Sequence, residues 1–310
     1  HIPVSPTASS RTVQLLDESL HDYVKLHYDG ILGRVNRALP YKKAVAGVEI
    51  STELISAADS LPSAVAFFPE SGARILTISE HAGSDPTEIG MIWRPDSPVG
   101  NSASDLVHIW PLFSLYSSDR RALDDSPLLV QLIECTGCNP ESLVVGTILS
   151  ALIECYFVLI EQFGYQAEFN AQNLLVGLDK DLSFRSIVIR DLSRMEKDYP
   201  LRRSKGLSCE FQSHPYKVLE DDSDVYRIRH SFGFDFKLCV YVIDPLIRLL
   251  ADRFAVAPEK IEEQLQEAIR PHLKQLPDDY FPADGKWYAH EKILLDKQRP
   301  YAAYEEPRFR

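Results

Sequence analysis

Between Ala167 and Leu192 the chain reads AEFNAQNLLVGLDKDLSFRSIVIRDL, with Glu168, Asn170, Gln172 and Asn173 followed by Arg190-Asp191. Buried amides cost free energy unless their hydrogen bonds are met, so three together call for a ligand or for a structural use such as capping a turn. The runs LLVGL and SIVIRDL have strand character and flank Asp179-Lys180-Asp181, which suits a turn. If they pair, Asp191 returns to the end of the hairpin where Gln172 and Asn173 sit. Amides and a carboxylate converging there are what a magnesium–nucleotide site requires.

A second cluster, Ser9-Ser10-Arg11-Thr12, precedes what reads as an amphipathic helix over residues 13–38, with Leu15, Leu16, Leu20, Tyr23 and Val24 on one face. Hydroxyls and free N–H groups at a helix start bind anions, and a guanidinium grips phosphate or carboxylate through two bonds. The same residues serve equally well as a helix cap without a ligand. Lys25 and Arg37 follow; alone, such cations are an ordinary solvated face. The histidines form no HxH or HExxH pair, and GxxxxGK[ST], GxSxG and GxGxxG are absent. Transition-metal, P-loop, α/β-hydrolase and Rossmann readings therefore fall away.

The elements that must position these residues change character along the chain. Up to about residue 115, short strand-like runs (AVAGVEIS, SAVAFFPE, ARILTISE, EIGMIWRP) alternate with turns, with a short helix over Thr52 to Asp59 and a loop over Arg94 to Asp105. Long apolar helices then follow over Leu128 to Cys135, Pro140 to Phe163, Leu238 to Phe254 and Pro258 to Gln275, with Pro140 and Pro258 at first-turn positions. The expected class is α+β: an α/β domain with an antiparallel sheet over 1–115, and a largely helical domain with an inserted β-hairpin over 116–310.

Composition narrows the function classes. At 310 residues, 45% apolar and 25% charged, the chain resembles an ordinary globular protein. A net charge of -12 argues against binding nucleic acid or an anionic membrane. The longest apolar run, Leu143 to Ile160, carries Glu154 and reads as a buried helix rather than a membrane span. Cys135-Thr-Gly-Cys138 is a lone CxxC, and Cys155 and Cys239 lie in apolar runs, so the five cysteines read as reduced thiols of a cytoplasmic protein.

Taken in order, the clusters resemble the NRPS-independent siderophore (NIS) synthetases, the aerobactin-synthetase-like family. Its Ser-x-Arg-Thr motif is matched by Ser9-Ser10-Arg11-Thr12, its Lys-Leu stretch by Lys25-Leu26 and Arg37, and its Glu-x-His-x-Gln-Asn motif by Glu168, Asn170, Gln172 and Asn173, followed by Arg190-Asp191. Gly90-Met-Ile-Trp-Arg94 and Lys292 are smaller echoes. The resemblance implies fingers followed by a palm, without the family's N-terminal thumb. It implies ATP-dependent adenylation of a citrate-like carboxylate and condensation with a polyamine, hydroxylamine or amino-alcohol, with ATP and Mg²⁺ as cofactors. Family members often pair as homodimers, and the resemblance extends that expectation here. It assigns Ser9, Ser10, Arg11, Thr12, Lys25, Gln172, Asn173 and Asp191 to the nucleotide. Arg37, Glu168, Asn170 and Lys292 go to the substrate, with Arg11, Arg37 and Asn170 catalytic, and Asp191, Asn173 and Glu168 to the metal. Asn170 stands where the family has histidine, and asparagine carries no proton or charge to an anion. That departure opens a second reading, a homologue that binds nucleotide or polycarboxylate without turnover.

Overall fold

The computed structural model describes residues 2–7, 9, 11–17, 22–32, 35–79, 87–118, 125–220, 223–290 and 301–310. In chain order its main elements are strands β1 (Val4–Pro6), β2 (Thr12–Leu15) and β3 (Tyr23–Leu26), helix α1 (Tyr41–Ser56), and strands β4 (Val65–Phe67), β5 (Gly72–Ile78), β6 (Thr87–Arg94) and β7 (His108–Pro111). Helices α2 (Leu128–Thr136) and α3 (Pro140–Phe163) follow, then strands β8 (Leu174–Leu178) and β9 (Phe184–Ile189). The helical run over 224–254 is α4, and Pro258–Leu273 is α5.

Strands in the order β1-β2-β3-β6-β5 make an antiparallel sheet. A second sheet, β4-β9-β8-β7, is antiparallel except where β9 pairs with β4. The α+β class and the antiparallel sheet of the first part match expectation, and so does the hairpin, whose turn is held by Asp179 accepting from the N–H groups of Asp181 and Ser183, both at 2.9 Å. That hairpin is completed on both sides by β4 and β7. The main core likewise joins Ile50, Leu54, Val65, Phe67 and Leu112 to α3, β8 and β9. Residue 115 is therefore no break in packing; the two expected regions share a sheet and a core.

Three local expectations are corrected. Residues 12–15 and 23–26 are paired strands, not one helix. Four-residue strands are too short to show a period of two. Pairing with β6 fixes β3, which in turn pairs with β2, and Val13, Tyr23 and Val24 suit a pleated surface. AVAGVEIS is the middle of α1, where Ala44, Gly47, Ile50, Ser51 and Leu54 recur at helical spacing and are buried; a short apolar run leaves strand and helix undecided. The helix expected from Leu238 begins at Asp224. Its first turns, DVYRIRHS, lack a continuous apolar stripe, and they are held by tertiary bonds such as the Tyr226 hydroxyl donating to Asp198 at 2.8 Å. The apolar run inside α3 is mostly buried within the protein, as a core helix would be.

Candidate functional site

Alternation along β2, β3 and β6 sets the first wall. Thr12 faces Lys25 across β2–β3, and Tyr23 faces Arg94 across β3–β6, so Thr12, Gln14, Tyr23, Lys25 and Arg94 share one face of the sheet. The hairpin supplies the opposite wall. Leu174 pairs with Ile189, and the Arg190 N–H donates to the Asn173 carbonyl at 2.9 Å. Asp191 then takes left-handed φ and ψ of 66° and 48°, a conformation aspartate tolerates better than most residues, which turns its carboxylate back toward the sheet. Between the walls lies a cavity of about 550 Å³ whose lining includes Ser9, Thr12, Gln172, Asn173, Arg190 and Asp191. Phe68, Val107, Ile109 and Leu175 give it one apolar side.

Its floor is an ion network. Asp191 accepts short hydrogen bonds from both Lys25 and Arg94. Arg94 also donates through Nε to Glu70 at 3.1 Å, and Lys25 Nζ lies 4.0 Å from the same oxygen. The other Glu70 oxygen accepts from the Ser193 N–H at 3.2 Å, so this fully buried carboxylate ties β6 to the turn carrying Asp191. Gly47 makes the space: a Cβ there would sit 1.4 Å from Glu70 Oε2. Burial opposes ionisation of Asp191, yet Lys25 and Arg94 hold its carboxyl well below the usual range. Burial lowers the Lys25 ammonium below its ordinary value despite Asp191. Lys43, buried close to Arg11, Lys25 and Arg194, is pushed down to about 8.

Arg11 donates to the Arg37 carbonyl, and its guanidinium interacts electrostatically with Asp191, Arg37, Arg94 and Arg194. Arg37 Nε is buried without a hydrogen-bond partner. Seven cations (Arg11, Lys25, Arg37, Lys43, Arg94, Arg190, Arg194) thus gather around four carboxylates (Glu70, Asp96, Glu168, Asp191), a local excess of three positive charges in a chain of net charge -12. Such a cluster is built for an anion.

Arg194 closes the turn that begins at Asp191, its N–H donating to the Asp191 carbonyl at 3.0 Å, and faces a second cavity of about 240 Å³. There it grips Glu168 through two bonds of 2.7 and 3.2 Å, while Glu196 pairs with Lys217 at 3.1 Å and with Arg229. Burial works against ionisation of Glu168, but Arg194 first and then Lys217 and Lys237 keep it below the ordinary glutamate value.

The sequence candidates are thus distributed. Ser9, Thr12, Gln172, Asn173 and Asp191 line the first cavity, with Lys25 and Arg11 around its floor; Glu168 lines the second. Asn170 Oδ1 accepts from the Gln172 and Asn173 N–H groups at 3.1 and 3.0 Å, shaping the turn that presents them. Ser10 and Lys292 lie outside the described residues. Thr12 opens strand β2 rather than a helix, and Thr7 Oγ1 accepts from the Ser9 N–H at 3.1 Å. A magnesium set of Asp191, Asn173 and Glu168 is not assembled: Glu168 faces the other cavity, and both carboxylates are already matched by cations. Among the described residues no group of three or more His, Cys, Asp or Glu could hold a metal.

Glu70, Lys43, Arg194, Glu196, Lys217 and Arg229 escape sequence reading. Only Glu70 carries a local signal, an acid two residues beyond the buried run VAFF.

No family model matches the sequence, and no curated protein does either. Solved structures do. Petrobactin biosynthesis protein AsbB from Bacillus anthracis superposes over 99% of this chain with a TM-score of 0.70 at 17% identity. ATP-bound aerobactin synthetase IucA from Klebsiella pneumoniae does so over 99% with a TM-score of 0.70 at 15% identity. Aerobactin synthetase IucC from the same organism matches 87% of the chain, with a TM-score of 0.62 at 16% identity. The fold is that of the siderophore synthetases. The chain spans about half the length of these structures, 53%, 55% and 46% of AsbB, IucA and IucC respectively.

Proposed function

We propose that this chain carries the ATP-dependent, carboxylate-activating site of a siderophore synthetase. What supports it most is the anion-seeking floor of the first cavity, assembled from the residues that resemble the NIS motifs, in a fold shared with an ATP-bound synthetase. A carboxylate oxygen of the acid attacks the α-phosphorus of ATP, a new O–P bond forms, and pyrophosphate leaves with the electrons of the broken bond. An amine or hydroxyl then attacks the acyl carbon, loses a proton, and AMP departs.

The chain's own groups suit each stage. Ser9 and Thr12 hydroxyls donate to phosphate oxygens, and Arg11 and Lys25 balance the charge that builds on the α-phosphate and pyrophosphate. Arg37, whose buried Nε has no hydrogen-bond partner, bonds the acid's carboxylates in this reading. Gln172 and Asn173 bond the nucleotide, whose base fits the apolar side at Phe68 and Ile109. Asp191 acts by fixing Lys25 and Arg94; with both its partners in place, no step is assigned to a protein-bound magnesium.

Pyrophosphate exchange into ATP, supplied as its magnesium complex, with citrate, succinate and 2-oxoglutarate tests this reading. Acid-dependent exchange is expected, reduced on the order of 10²–10³-fold in Arg11→Ala. ATP binding without exchange for every acid identifies the non-catalytic homologue instead. Absence of both leaves the fold without the activity.

A further inference from the structure

Lys43 takes no part in the adenylation steps, and its surroundings differ from those of the other cations in the cluster. It stands in the first turn of α1, and its side chain runs back past the helix start, where Nζ donates to the Ala38 carbonyl at 3.0 Å. The preceding carbonyl, that of Arg37, accepts from Arg11. Two consecutive carbonyls thus tie Lys43 and Arg11 to the segment that carries Arg37. The amine is buried, and among the described residues no carboxylate lies within ion-pair distance of it.

The charges acting on this amine are mostly of its own sign. Arg11 just ahead of β2 comes first, then Lys25 on β3 and Arg194 on the turn, and only then Asp191 as an attraction. Asp191 is itself engaged by Lys25 and Arg94. Glu70, beneath α1 at Gly47, serves Arg94. The acids of α1 face elsewhere, Glu49 accepting from the Ser213 N–H at 3.3 Å and Glu53 from Arg202 at 3.1 Å. The positive end of the helix dipole adds to the same field. Burial first, and then these like charges, make the ammonium hold its proton weakly, with its titration pushed down to about 8.

A polyphosphate in the first cavity reverses that field, because its negative charges fall on Arg11 and Lys25, the two cations that act on Lys43 most. Guanidinium groups stay charged throughout, so only an amine can answer by taking up a proton. Lys25 already has Asp191 as a partner, whereas Lys43 has a carbonyl alone. Resting on the ATP site proposed above, we infer that Lys43 is a proton-linked positioning residue: it takes a proton from solvent when ATP binds, and as an ammonium it braces the Arg37–Ala38 segment against the bound phosphates.

Calorimetry of ATP binding, as the magnesium complex, in buffers of low and high ionisation enthalpy counts the protons taken up. For a tenfold rise in proton affinity on binding, an amine titrating at about 8 takes up about 0.4 proton per ATP near pH 8 and almost none at about pH 6.5. The same linkage weakens ATP binding about fourfold between about pH 8 and 9.5. Lys43→Met is expected to remove the uptake and flatten that part of the Kd profile. Lys43→Arg, permanently charged, is expected to flatten it as well while binding ATP at least as tightly as the wild type near pH 9.5. A merely structural Lys43 moves neither the proton count nor the profile. ATP binding with equal heats in both buffers near pH 8 overturns the inference and leaves the ATP site standing. Uptake that persists undiminished in Lys43→Met also overturns it, assigning the proton to Lys25. No binding of ATP at millimolar concentration refutes the ATP site itself and the inference with it, a result distinct from binding without uptake.

Discussion

Asp191→Asn strikes the floor of the site where its charges balance. The carboxylate holds Lys25 and Arg94, whose side chains are 4% and 10% exposed, and is itself 27% exposed. Replacing it with a neutral amide of the same shape leaves Lys25 with one acid, Glu70 at 4.0 Å, and Glu70 already serves Arg94. Removing one partner of a buried pair costs about 3–5 kcal/mol, and the partial exposure of Asp191 places the expected loss near 3 kcal/mol. A pH signature separates this cause from simple damage. Burial already lowers the Lys25 ammonium below its ordinary 10.5, and Asp191 is the largest influence opposing that fall, so the variant lowers it further. Between the depressed folded value and 10.5 the unfolded chain binds the extra proton, so stability rises with pH across that window. Urea unfolding should therefore show the variant's deficit largest near neutrality and shrinking as pH climbs toward 10.5, with an unchanged denaturant slope. A deficit under about 1 kcal/mol, as for an exposed pair, or one that grows with pH, would refute the reasoning.

Other perturbations test neighbouring parts. Gly47→Ala drives a methyl into Glu70 Oε2 and should cost about 1–3 kcal/mol of stability by thermal unfolding, with full tolerance indicating that Glu70 does not occupy that space. Asn170→Ala removes the acceptor for two backbone N–H groups and should cost about 1 kcal/mol while raising the KM for ATP through a loosened Gln172–Asn173 turn. Lys197, buried under Phe211 and 3.9 Å from Glu49, is pushed down to about 8. Wild-type stability should gain from that group as pH rises from about 8 to 10.5, and Lys197→Met should remove the gain in urea titrations at matched pH.

How much of this was legible depended on whether a residue's role is local. The hairpin from Leu174 to Ile189 announces itself, because strand-forming residues flank a turn whose Asp179 bonds its own backbone. Pro140 behind Asn139 marks a helix start, and Asn139 accepts from the Ser142 N–H at 2.8 Å. The strands at 12–15 and 23–26 do not announce themselves, since the second is held by β6, some seventy positions away along the chain, and the first pairs with the second. The site divides in the same way. Gln172, Asn173 and Asp191 are joined by one hairpin and could be placed together from spacing. Lys217, Arg229 and Lys237 meet Glu168 only through tertiary packing, and nothing within a window of sequence pairs a lysine with a glutamate fifty residues before it. The misassigned magnesium set fails for a related reason. Spacing showed that carboxylates were near, while the cations that already satisfy them arrive from β3, β6 and the turn at Arg194.

Those cations also explain why amides stand beside Asp191. A carboxylate there, with Lys25 and Arg94 as partners, sets the direction of two positive groups without cancelling the cluster, because Glu70 and Asp191 together leave the surrounding cations in excess. Carboxylates at 172 and 173 would bring the cluster closer to neutrality and set like charges beside Asp191. Amides keep the lining polar, bond in either direction and leave the field positive. The backbone uses the same economy: Asn170 folds the turn, Arg190 Nε braces the Gln172 carbonyl at 2.9 Å, and Asp191 in its left-handed conformation sends the chain on to Arg194. One turn therefore fixes a floor residue of the first cavity and a wall residue of the second. A perturbation at Asp191 that displaces Arg194 should be felt in both, which neither cavity considered alone would require.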